Sequence, residues 1–121
     1  MSKTTRLIKR LESKNLDQRI AAINALGKTK DLLAFETLKK ILMEGEGDER
    51  SSAVLALGNF QCDSAKSILI DAIFDRNAKV RCAAAAGLEK LGNAVWIKLI
   101  DGTIMDFIRM VKSGHVHNIE S

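Results

Sequence analysis

The chain has no proline and no tyrosine, and only one tryptophan and two cysteines, in 121 residues. With proline absent and Ala, Leu, Ile, Lys and Glu abundant, the composition leans to helix. No apolar run approaches the roughly 18 residues of a spanning helix, which excludes a segment of that kind. The opening Met1-Ser2-Lys3-Thr4-Thr5-Arg6 leads into an amphipathic pattern, not an apolar signal core. Cys62 and Cys82 stand twenty residues apart, outside CxxC spacing. A disulfide-stapled secreted scaffold would carry more, so both read as reduced thiols of a cytoplasmic protein. The lack of an Asn-x-Ser/Thr acceptor agrees with that compartment.

What is present describes a soluble globular chain: 46% apolar and 28% charged residues. Its length predicts a single domain over 1–121, large enough to bury roughly two thirds of its extended surface. Nineteen Lys plus Arg against fifteen Asp plus Glu give a formal charge of +4. Such a charge attracts nucleic acid or acidic partners, but it is also ordinary for solubility. The basic residues are spread and not massed, which favours solubility.

Three segments align at a period of 31 residues: Gln18–Gly27, Glu49–Gly58 and Val80–Glu89. Arg19, Arg50 and Arg81 fall in register, as do Ala22, Ala53 and Ala84, and Leu26, Leu57 and Leu88. Leu38, Leu69 and Ile100 align next, then Leu42, Ile73 and Ile104. Each unit holds two patterns of helical period, a first helix rich in Ala and a second rich in Leu and Ile. Small side chains on the first helix permit close approach, and large ones on the second fill the space between layers. Asp63 and Asn77 are expected N-caps, and Asn15 with Gln18 has the spacing of a capping box. Leu7 and Leu11 lie 31 residues before Leu38 and Leu42, so 3–14 reads as a lone second helix. A longer last second helix over 95–111, with Trp96, Leu99, Phe107 and Ile108, brings the count to seven.

The third unit, Val80-Arg81-Cys82-Ala83-Ala84-Ala85-Ala86-Gly87-Leu88-Glu89-Lys90-Leu91-Gly92, resembles the V-R-x-x-A-A-x-A-L-x-x-L-G pattern of short HEAT-like repeats, also called PBS-lyase HEAT-like. The resemblance spans about 3–112 and departs in lacking the proline common between the paired helices. It implies an all-α, right-handed α-α superhelix of three helix pairs plus an N-terminal capping helix. The expected segments are a cap at 3–14, repeats at 15–45, 46–76 and 77–112, and a tail at 113–121. Similar proteins are mostly scaffolds that bind a partner on a curved face, with second helices lining the concave side. Others attach phycobilins, excise alkylated bases, or hydroxylate deoxyhypusine with His-Glu pairs as iron ligands. This chain has no His-Glu dipeptide, and one Trp in a short chain does not suit the base-excision branch.

Arg19, Arg50 and Arg81 recur once per unit at the start of each first helix. Strict repetition favours a structural ladder, pairing with acids of neighbouring units such as Asp17 or Asp48, over a row of anion sites. His115 and His117 are two ligands without Cys or carboxylate company, too few for a metal. Cys62, near a helix start but without a base in sequence, reads as unreactive, and Cys82 as a small buried residue. Gly87-x-x-x-x-Gly92 lacks the Lys-Ser/Thr of a phosphate loop. The acids of Glu44–Glu49 lack the order of a calcium loop and read as a solvated turn.

These residues predict a non-enzymatic scaffold or adaptor with no cofactor, because no nucleophile–base or metal constellation is found. A protein partner is expected on the concave face, with Arg6, Lys9, Arg10, Lys39 and Lys40 as contacts. The alternatives are nucleic-acid backbone binding through the same basic groove, an accessory subunit of a lyase-type enzyme, or self-association through the terminal repeat. Lys9 and Lys40 share a register position, but Asp71 and Gly102 follow in that file.

Overall fold

The structure, a computed structural model, describes residues 2–92. In chain order these form α1 (Lys3–Arg10), α2 (Leu16–Thr29), α3 (Leu32–Glu44), α4 (Gly47–Leu57), a 3-10 turn (Gly58–Phe60), α5 (Asp63–Ala72) and α6 (Ala78–Gly92), with no strand among the described residues. No helix there is long and apolar enough to cross a membrane. The expected last second helix with Trp96, Phe107 and Ile108, and the tail with His115 and His117, lie outside the described residues. So does the terminal face expected to self-associate.

The helix starts follow from local hydrogen bonding. The Asn15 side chain accepts from the Gln18 backbone N–H at 3.0 Å, and Asn77 accepts from Lys79 at 2.8 Å, each satisfying a donor that the first turn leaves open. The Gln18 carbonyl oxygen instead accepts from the Ser13 hydroxyl at 2.6 Å, so only half of the expected capping box forms. Asp63 is not a cap: it is the first residue of α5, and Cys62 holds the cap position without a side-chain bond. Lys30 and Gln61, 31 residues apart, take left-handed backbone angles of φ 58° and 52° beyond α2 and the 3-10 turn.

The register positions become the core. Leu26, Leu57, Leu88, Leu38 and Leu69 are fully buried, and Ala53 and Ala84 beside them are equally closed. Burying each leucine contributes about 1.5–3 kcal/mol. Phe35 and Phe60 meet edge to face at 5.1 Å between ring centres, sealing the layer between α3 and the 3-10 turn.

The two rows of helices differ in spacing, and glycine sets the difference. α2 packs on α4 and α4 on α6, whereas α1, α3 and α5 touch one another sparingly. A Cβ on Gly27 would sit 2.8 Å from the Ala56 Cβ and 2.9 Å from its Cα, so only glycine allows this approach of α2 to α4. One unit on, Gly58 meets Gly87 in the same way, with 3.5 Å left for a Cβ. The tighter row takes the inside of any bend. The second helices therefore line the open outer side, reversing the expectation that they line the concave one; small residues, not the leucine stripe, set which row is inner.

Candidate functional site

Open grooves run between the second helices. One of about 380 Å³ lies between α1 and α3, and another of about 380 Å³ lies between α3 and α5. They are the same groove displaced by one 31-residue unit. Ile8 and Leu11 on α1 correspond to Lys39 and Leu42 on α3. On the facing walls Thr37, Lys40 and Ile41 correspond to Ile68, Asp71 and Ala72. The floor is apolar in both. Met43, at 80% exposure, stands at the rim of the second groove.

The charges on these walls fall into two groups. Lys39 Nζ lies 3.8 Å from Glu36 and 6.0 Å from the Phe35 ring centre, within cation–π range. Asp75 is held bidentately by Arg50 at 2.6 and 3.2 Å. Burial pushes the Asp75 carboxyl up. The Arg50 hydrogen bond, the Asn77 N–H and the charges of Arg50 and Arg76 outweigh it and hold the group below its ordinary range. Lys40 and Asp71, by contrast, are exposed and have no ion pair within 4 Å among the described residues.

The five basic residues expected to make one contact surface are not brought together. Lys40 lines the first groove and Lys39 the second. Arg10 faces a third depression of about 320 Å³ beside Leu7, Gln18 and Ala21, where α2 has no earlier first helix against it. Arg6 and Lys9 are exposed on α1 and line none of these depressions.

The register arginines close the joints between helices. Arg19 and Arg81 each donate from Nη1 at 2.7 Å to the carbonyl six residues earlier, Ser13 and Asp75. Arg50 donates from Nε to the Leu42 carbonyl at 2.6 Å. Arg19 pairs with Glu49 of the next unit at 3.4 Å. The partner acids are thus Glu49 and Asp75, not Asp17 or Asp48; Asp48 instead meets Lys79 at 2.6 Å. Arg81 Nε is buried with no hydrogen-bond partner among the described residues. Cys82 is half-buried, more open than its alignment with Ile20 and Ser51 suggested, and Cys62 is exposed. Both are free thiols.

Paired antiparallel helices stacked at a fixed register, with one tight row and one grooved row, define an α-solenoid. A family model for HEAT repeats matches residues 36–103, and the chain belongs to the HEAT repeat family. Such repeats generally mediate protein–protein interaction, and the family is typically one of non-enzymatic scaffolds. No curated protein matches the chain.

Proposed function

We propose that the chain is a non-enzymatic, cytoplasmic scaffold that docks a partner protein on the row of second helices, without a cofactor. The observation that carries this reading is the pair of register-equivalent open grooves, each of about 380 Å³, between α1, α3 and α5. Repetition of an apolar floor with changing wall charges suits a partner that reads successive units. Lys39 and Lys40 contribute from the groove walls, and Arg6, Lys9 and Arg10 from the α1 end. A nucleic-acid backbone fits less well, because Asp71 takes the position of Lys40 one unit on and would oppose phosphate there.

Site-specific photo-crosslinking tests this. A crosslinker at position 43 should capture one defined protein from source lysate, unaffected by nuclease. A crosslinker at Leu55, exposed on α4, should not capture it. Capture that vanishes with nuclease, or the same proteins from both positions, would overturn the reading.

A further inference from the structure

We infer that the occupant of this row is an amphipathic helix laid across α1, α3 and α5, seating one large apolar side chain in each groove, with an acidic residue beside the first and a basic residue beside the second. The inference rests on the scaffold reading and specifies its partner. The grooves match in volume, about 380 Å³ each, and in lining register, so each offers one apolar seat. Packed helices lie about 8–10 Å apart, which sets the interval between seats. Residues i and i+7 of a helix share a face and stand about 10.5 Å apart. Same-face residues of a strand recur at about 6.6 or 13 Å and miss that interval.

The charges fix the partner's polarity. Lys40 and Asp71 hold the same position in successive grooves, are both exposed, and have no ion pair among the described residues. Glu44 lies one turn beyond Lys40 toward Gly45, and its counterpart Asp75 is held by Arg50. Lys40 and Asp71 are therefore the charges by which the two seats differ. A partner uniform in sign gains at one seat and is repelled at the other; a partner of mixed sign gains at both.

The test uses three fluorescent, hydrocarbon-stapled helices of about 20 residues, each with leucines seven apart. One carries Glu beside one leucine and Lys beside the other, the second carries Glu at both places, and the third Lys at both. Fluorescence anisotropy should show the mixed probe binding about tenfold tighter than either uniform probe. Lys40→Glu should move the preference to the Lys/Lys probe, and Asp71→Lys to the Glu/Glu probe. Met43→Asp should weaken all three. The substituted side chains are exposed, and circular dichroism checks that each variant keeps its helices. Equal affinities, or a preference that neither charge reversal moves, would overturn the inference. If no probe binds while crosslinking from position 43 still captures a defined protein, the inference falls and the scaffold reading stands. If both fail, both fall.

Discussion

Asp75 ties two units together: its carboxylate holds Arg50 of the second pair, and its carbonyl accepts from Arg81 of the third. Asp75→Asn should cost about 1–3 kcal/mol at pH 7, the range for a hydrogen bond to a charged group in a part-buried setting. Because the folded carboxyl titrates below its ordinary range, its contribution is complete above the unfolded value of about 3.9 and fades as pH falls through the lower folded one. Urea titrations from pH 7 to pH 3 should therefore show the difference between wild type and Asp75→Asn narrowing below about pH 4. A constant difference would refute this. A second prediction concerns Lys30, whose φ of 58° costs a side-chain-bearing residue about 1 kcal/mol. Lys30→Gly should raise stability by about 0.5–1 kcal/mol, read as a shifted urea midpoint at unchanged slope. At this scale the sequence shows the arginines but not their acids. The residues 31 before Asp75 and Glu49 are Glu44 and Gln18, so neither acid belongs to a repeating file.

Between elements, the approach of α2 to α4 turns the usual preference for alanine around. Gly27→Ala gains about 1 kcal/mol of helix propensity but drives a Cβ to within 2.8 Å of Ala56 and 2.9 Å of its backbone. Overpacking of this kind costs about 1–3 kcal/mol, so the variant should be destabilised on balance. Gly58→Ala places its Cβ 3.5 Å from Gly87, an ordinary contact, and should change stability by less than about 0.5 kcal/mol. Denaturation of both variants checks the contrast; equal effects would show that the helices slide apart freely. Helix count, pairing and buried stripes up to residue 92 were legible because burial at fixed period writes itself into residue type. Which row is tighter was not. It depends on sub-ångström clearance at a few small residues, and a pattern of Ala and Gly does not state which partner each one meets.

For the whole chain, α4 packs against α2, α3, α5 and α6, while α1 has neighbours only on the α2 and α3 side among the described residues. In a stack stabilised by nearest-neighbour interfaces, native-state hydrogen exchange should protect α4 amides most and release α1 amides first. Uniform protection across the six helices would show a single cooperative unit instead. The grooves themselves were not legible, since their walls mix residue types that one-face patterning treats as ordinary solvated positions. Their charge inversion appeared in the sequence only as a basic file ending at Asp71. The unequal rows also give the molecule a mechanical sense. Pulled from its ends, a stack with its tight seam inside must straighten, and straightening shuts the gaps on its back. Any side chain lodged in those gaps then acts as a wedge, so a loaded chain should be stiffer in tension than an empty one.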